Sequence, residues 1–182
     1  MSKHDDYYYI PSGIDSKVAS VILDQLNGTS LNTGLVNNGD LNSRNSKVGW
    51  ISTDHWISGM LSHFIYSANN MYYQYELSSW ADKIQYTVYD GEKTGYSWHV
   101  DVERSNFEVG HTRKLSISLC LSSQDEYEGG EFQVMINGLM NSKKMNCGDV
   151  IVFPSDAMHR VRPLKSGKRI SLVGWMGGPN FK

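Results

Sequence analysis

The chain has 182 residues, with 17 lysines and arginines against 19 aspartates and glutamates, for a formal net charge of −2. At 40% hydrophobic and 20% charged residues it reads as an ordinary globular protein rather than a disordered one. The near-neutral balance gives no general attraction to nucleic acid or to an anionic membrane, and the apolar runs fall far short of the ~20 residues that span a bilayer.

This length suits one domain, residues 1–182, with a sizeable core. The start, Met1-Ser2-Lys3-His4-Asp5-Asp6, is polar and acidic, unlike a secretory signal. Val18, Val21, Ile22 and Leu26 recur at helical spacing, with Ser12 or Asp15 able to cap the start and Gly28 to end it. Residues 28–47 are rich in Asn, Gly and Ser and are expected to form a loop. Thr53 precedes Trp56, Ile57, Met60, Leu61, Phe64 and Ala68, a second amphipathic helix with a wide apolar face. The tyrosines at 7–9 and 72–75 suit core or edge packing better than nucleobase stacking. Residues 1–83 therefore read as a helical support region.

From residue 84 a period of two takes over. Leu115, Ile117, Leu119 and Leu121 alternate with Ser116, Ser118 and Cys120, so one face is apolar and the other small. The apolar face is expected to lie outward beneath the helices, leaving the small face to line a cavity. Phe132, Val134 and Ile136 lead into Asn137-Gly138, a two-residue hairpin signal that needs positive φ twice. A further strand runs from Asp149 to Phe153. Near the end Arg169, Ser171 and Val173 share one face, opposite Ile170 and Leu172. Many short strands after two helices predict an α+β, mainly β fold: a cupin-like jelly roll with the helices packed on one sheet. Cys120 and Cys147 are too few for a disulfide framework and suit a reducing, cytoplasmic interior.

His99 and Asp101 carry the chemistry. Two residues apart on an extended strand, they point to the same side and can close on one metal ion while Val100 faces away. A second imidazole, His159, would complete two-His-one-carboxylate ligation, which leaves positions open on non-haem Fe(II). A guanidinium beyond it, Arg169, could grip a carboxylate in two prongs. An H-x-D triplet alone is a weak signal. Here it stands within Tyr89-Asp90-Gly91, Gly95-Tyr96-Ser97-Trp98-His99-Val100-Asp101 and Tyr127-Glu128-Gly129-Gly130-Glu131-Phe132. Cys147-Gly148-Asp149-Val150-Ile151-Val152-Phe153-Pro154-Ser155 and Met158-His159-Arg160-Val161-Arg162-Pro163 follow, then Gly167-Lys168-Arg169 and Trp175.

That ordered series resembles the Fe(II)/2-oxoglutarate-dependent oxygenases of the prolyl 4-hydroxylase type. It looks closest to the bacterial and phage branch called PKHD-type hydroxylases. The resemblance covers about residues 84–176, which it marks as the catalytic double-stranded β-helix core. It implies Fe(II) held by His99, Asp101 and His159, with 2-oxoglutarate and dioxygen as cosubstrates, succinate and carbon dioxide as coproducts, and ascorbate as an accompanying reductant. It places Arg169 on the 5-carboxylate of 2-oxoglutarate, with Tyr89 and Ser171 nearby. The implied reaction hydroxylates an unactivated C–H bond, of a peptidyl proline or another protein side chain. A free amino acid or small metabolite is the alternative substrate, and a metal-binding cupin that is not an oxygenase is the alternative class. One departure stands out: Cys120 occupies the position where some animal relatives have a tyrosine that assists the arginine, and a thiol is a poor donor.

Residues 102–112, polar and directly after Asp101, are expected to form a lid or part of a substrate groove. His111 within them reads as a solvated loop histidine. Arg113 either pairs with an acid or faces substrate. Arg160, Arg162, Lys165 and Lys168 read as a solvated edge, and Gly129-Gly130 as a tight turn with Glu131 exposed. The sequence sets no oligomeric state.

Overall fold

The apolar stripe of residues 115–121 lies where its alternation places it, and it organises the molecule. The computed structural model describes residues 7–34, 44–102 and 110–180. Among the described residues there are two α-helices, α1 (Ser16–Leu26) and α2 (Trp56–Ala68), with a π-helical turn at Asn69–Tyr73 and a short 3₁₀ turn at Gln124–Glu126. The strands are β1 (Tyr8–Ile10), β2 (Asn32–Thr33), β3 (Arg44–Asn45), β4 (Lys47–Ile51), β5 (Ser79–Trp80), β6 (Ile84–Asp90) and β7 (Gly95–His99). They continue as β8 (His111–Cys120), β9 (Tyr127–Gly129), β10 (Phe132–Ile136), β11 (Leu139–Lys143), β12 (Val150–Pro154), β13 (Met158–Val161) and β14 (Leu164–Pro179).

The strands form two antiparallel sheets. The larger runs β1-β12-β8-β14-β6-β4-β2, with β5 and β9 also pairing with β14; the smaller runs β11-β10-β13-β7-β3. This is the double-stranded β-helix. Leu115, Ile117, Leu119 and Leu121 pack with Ala19, Ile22 and Leu26 of α1 and Ile57, Leu61 and Ile65 of α2 on the outer face of the larger sheet. Each of these leucines and isoleucines contributes about 1.5–3 kcal/mol on burial. The second core, with Tyr89, Cys120, Tyr127, Phe132, Val134, Met145 and Phe153, contains side chains from both sheets.

Asp15 caps α1 by accepting the Lys17 amide at 2.8 Å, which settles the choice between it and Ser12. At α2 the cap is His55, whose Nδ1 accepts the Ile57 amide at 3.4 Å. The front of the chain is less purely helical than its sequence suggests. Five short strands precede residue 84, and β2 and β3 lie inside the stretch read as a loop. Two-residue strands carry no periodicity, and their pairing is set by partners far along the chain. Of the supposed lid, residues 103–109 lie outside the described residues, whereas His111 begins β8 rather than sitting in a loop.

Candidate metal centre

β7 and β13 are neighbours, and His99 is the register partner of His159. Both rings face the interior between the sheets, with centroids 4.1 Å apart. Each ring is fixed from behind: His99 Nδ1 lies 2.8 Å from the Ser97 carbonyl oxygen, and His159 Nδ1 lies 2.9 Å from that of Ala157. A carbonyl only accepts, so both Nδ1 atoms carry the proton and both Nε2 atoms present a lone pair. Those Nε2 atoms flank one carboxylate. His99 Nε2 is 3.6 Å from Asp101 Oδ1, and His159 Nε2 is 3.4 Å from Asp101 Oδ2. The three ligand atoms lie within 4.8 Å of one another.

Asp101 stands just past β7, tied down on every side. Its amide donates to the Ser155 carbonyl at 2.8 Å, its Oδ2 accepts from Ser116 Oγ at 2.7 Å, and Ser116 Oγ meets Ser155 Oγ at 2.9 Å. Arg113 Nη1 donates to the Asp101 carbonyl at 2.9 Å while its other nitrogens hold the Asp82 carboxylate. The Arg113 guanidinium also lies over Trp175, 4.3 Å from the ring. Burial works to raise the Asp101 carboxyl, but the His159 and His99 imidazoles and the Ser116 hydrogen bond together outweigh it and hold it below the usual range. Burial, with repulsion from His159, pushes His99 down to about 4 against the pull of Asp101. A neutral imidazole beside an ionised carboxylate is the state that ligates a cation. Two neutral nitrogens and one charged oxygen, all buried or nearly so, fit a divalent iron and leave room for further ligands.

The larger sheet supplies the floor of this interior. Its inner face carries the register row Thr87–Ser171–Cys120 and, nearer the metal ligands, Trp175–Ser116–Phe153. Arg169 pairs in register with Tyr89 and is only 1% exposed. Its contacts are weak: Nη1 reaches Ser171 Oγ at 3.3 Å, Nη2 reaches the Met145 sulfur at 3.8 Å, and Nε is buried without a partner. Among the described residues no carboxylate forms an ion pair with it. A buried guanidinium left this way is costly, and it fits the distal carboxylate of a bound dicarboxylic acid. His99, Asp101, His159, Arg169, Tyr89 and Ser171 are thus brought to one interior.

The remaining sequence expectations divide. His111 meets Ser78 Oγ at 3.1 Å and Ser79 Oγ at 3.4 Å and is no part of the ligand cluster. Arg113 takes the acid-pairing role. The basic edge is solvated as expected at Arg162, Lys165 and Lys168, all exposed, with Arg162 facing Glu131 and Lys165 binding Glu128, while the half-buried Arg160 donates to Gln133 and covers Trp98. Glu131 is half-buried rather than exposed, with the Arg162 guanidinium 3.7 Å from its carboxylate. Sequence reasoning missed Arg44 and Tyr96. The Tyr96 ring stacks on His99 with centroids 3.5 Å apart, and the buried Arg44 guanidinium covers Tyr96 at 4.7 Å. Arg44 lies in an Asn- and Ser-rich stretch with no pattern, so nothing local distinguished it. Gly34 leaves it room, since a Cβ there would come within 2.7 Å of Arg44 Nε.

Residues 84–177 match the family model of the 2OG-Fe(II) oxygenase superfamily. The chain belongs to that superfamily. Among curated proteins it is similar to PKHD-type hydroxylases. One, of Synechococcus sp. strain CC9902, is 40% identical over 84 residues, 45% of this chain and 36% of that protein. Another, of Prochlorococcus marinus strain MIT 9211, is 31% identical over 94 residues, 52% of this chain and 42% of the relative. The chain thus matches only about two-fifths of the length of these relatives. Solved structures extend the likeness in fold. A Pseudomonas putida prolyl-4-hydroxylase superposes with a TM-score of 0.75 at 19% identity, over 96% of this chain and 94% of the other. A Trichoplax adhaerens prolyl hydroxylase in complex with a hypoxia inducible factor peptide fragment gives 0.78 at 18% identity, over 95% and 84%. The likeness in fold therefore extends over the N-terminal helices and strands that the sequence match leaves out.

Proposed function

We propose that this protein is an Fe(II)- and 2-oxoglutarate-dependent dioxygenase that hydroxylates an unactivated C–H bond, with succinate and carbon dioxide as coproducts. The observation that carries this reading is Arg169, a fully buried cation without a carboxylate of its own, in the interior that also holds the His99–Asp101–His159 cluster. A metal-binding cupin that did not take a dicarboxylic acid would have no use for that charge.

In this reading His99, Asp101 and His159 hold the iron, and Asp101 offsets part of its charge. Iron held there would supply the oxidising power for the C–H bond, with 2-oxoglutarate and dioxygen as cosubstrates. The chain's own residues supply position and dryness. Arg169 receives the 5-carboxylate, with Ser171 as a neighbouring hydroxyl and Tyr89 as a buried wall 5.8 Å from the guanidinium. Phe132 and Phe153 pack on His159 and form an apolar wall beside the ligand cluster.

The substrate we propose is a peptidyl proline or another protein side chain. The PKHD-type and prolyl hydroxylase relatives support it, as does the peptide bound to the Trichoplax adhaerens enzyme. All of residues 1–182 then act as one domain around the 84–176 core. The two free cysteines suit a reducing compartment, where ferrous iron persists.

Anaerobic addition of Fe(II) and then 2-oxoglutarate tests the cofactor reading through the metal-to-ligand charge-transfer band. The band is expected for the wild type and not for Asp101→Ala. Tight Zn(II) binding with no band would favour a cupin that is not an oxygenase. Incubation with a peptide library, with and without 2-oxoglutarate and ascorbate, then tests the substrate by the gain of one oxygen in mass spectrometry. Oxidation of free amino acids alone would overturn the peptidyl assignment.

A further inference from the structure

Cys120 leaves a gap in the hydrogen bonding around Arg169. It lies on β8, in register with Ser171 of β14, and its weakly polar thiol points into the floor that the guanidinium shares. The gap is met from a different strand. Tyr127 on β9 reaches the same spot, and its hydroxyl donates to the Met145 carbonyl. The Cys120 sulfur also faces that carbonyl, at 3.9 Å, while the Met145 thioether meets Arg169 Nη2 at 3.8 Å. Tyr127, Cys120 and Arg169 therefore converge on one residue, Met145, which is itself fully buried.

The backbone around Tyr127 is built to hold it there. β9 pairs with the start of β14, Gly167 opposite Tyr127. Gly167 has φ +81°, and a Cβ on it would come within 2.0 Å of the Glu126 carbonyl oxygen and 2.8 Å of the Tyr127 Cα. Gly129 has φ +77°, and its Cβ would strike the Pro163 carbonyl at 2.6 Å. Gly130 has φ +66°, and its Cβ would press on the Tyr127 ring at 3.1 Å. Three glycines in left-handed conformations thus let β9 approach closely enough for the ring to enter the core. Once there, the phenol is mostly buried, and burial first, with Cys120 adding, raises it far above the ordinary tyrosine range despite Arg169. It stays a neutral hydroxyl, able to donate and to accept.

We propose that Tyr127 is a positioning residue for the cosubstrate's acid end, fixing Arg169 from β9 and supplying the phenol that Cys120 does not offer on β8. Ser171 Oγ meets the guanidinium at 3.3 Å and Nε is unpartnered, and the Tyr127 phenol is a second hydroxyl within hydrogen-bonding reach of the same cation. A neutral phenol braced on the Met145 carbonyl adds a polar wall without cancelling the positive charge that a carboxylate must meet. A Phe there would keep the packing and lose that wall.

This proposal rests on the reading of Arg169 as the 2-oxoglutarate anchor, and the test separates the two. Wild type and Tyr127→Phe, loaded anaerobically with Fe(II), are titrated with 2-oxoglutarate and with 2-oxopentanoate, which has the same chain but no 5-carboxylate. Binding is read from the charge-transfer band, and the melting temperature and Fe(II) affinity are measured alongside. We expect the wild type to prefer 2-oxoglutarate strongly. In Tyr127→Phe that preference should shrink about tenfold, as for one lost polar partner of a charged group, with 2-oxopentanoate and Fe(II) binding unchanged. A variant that keeps the full preference, or that loses both acids and the metal in parallel, overturns the role of Tyr127. A wild type that shows no preference overturns the anchor reading itself.

Discussion

His99 and His159 face each other across adjacent strands, each with its Nδ1 committed to the carbonyl two residues earlier in the chain. The same local device on β7 and β13 sets the same tautomer twice and turns both free nitrogens toward Asp101. A divalent metal should therefore bind the folded state only, and at a hundredfold excess over its dissociation constant stabilise it by about 2.7 kcal/mol. Thermal unfolding of chelator-treated protein, with and without Fe(II) or Co(II), measures this. His159→Ala should abolish the metal-dependent rise; an equal rise in the variant would place the metal elsewhere.

Ser116 and Asp101 give a finer test. The Ser116 hydroxyl holds Asp101 Oδ2 and is backed by Ser155, so Ser116→Ala frees the carboxylate without touching a ligand. Loss of such a supporting hydrogen bond costs about 10–100-fold in metal affinity. The metal-free fold should change little, since the alanine fits the same buried space. Competition titration against a chromophoric chelator reads the affinity. Unchanged affinity would show that the backbone bonds from Ser155 suffice to place Asp101.

Much of this site was legible in the sequence because its logic is local. The spacing of His99 and Asp101 puts them on one side of the chain, and the alternation of 115–121 predicts both the helix-covered face and the small-residue floor. Arg169 and Ser171 share a face for the same reason. What stayed hidden depends on contacts between distant segments. Arg44 reaches Tyr96, the ring that stacks on His99, through a two-residue strand that no periodicity announces. Tyr127 was visible only as part of a glycine motif, and its approach to Arg169 needs the β9–β14 pairing. Arg113 showed its charge but not its choice of Asp82 over a substrate.

Two glycines with similar backbone angles should respond differently to alanine. Gly138 has φ +76° in the Asn137-Gly138 hairpin, with Asn137 also positive at φ +51°, and a Cβ there meets nothing within 4 Å. Gly138→Ala should cost only the left-handed penalty, about 1–2 kcal/mol. Gly167→Ala adds a clash with the Glu126 backbone, which no rotamer can relieve. It should cost clearly more in urea unfolding and weaken 2-oxoglutarate binding as Tyr127 shifts. Equal costs at the two sites would mean that β9 yields easily.

Arg169 sets function against stability. A guanidinium that is 1% exposed with an unpartnered Nε is a burden on the ligand-free fold, and hydrophobic residues of similar volume often replace such buried charges without loss. Arg169→Met should therefore leave cosubstrate-free stability unchanged or raise it by about 1 kcal/mol. The same change removes the anchor for the 5-carboxylate, so 2-oxoglutarate affinity should fall about ten- to a hundredfold, or ~1.5–3 kcal/mol. Fe(II) affinity should hold, because the arginine touches none of the three ligands. Thermal unfolding with and without 2-oxoglutarate in the presence of metal reads both effects at once. A variant that unfolds several degrees lower before any ligand is added would show that Arg169 holds the sheet together, and that its isolation from carboxylates carries no message about a bound acid.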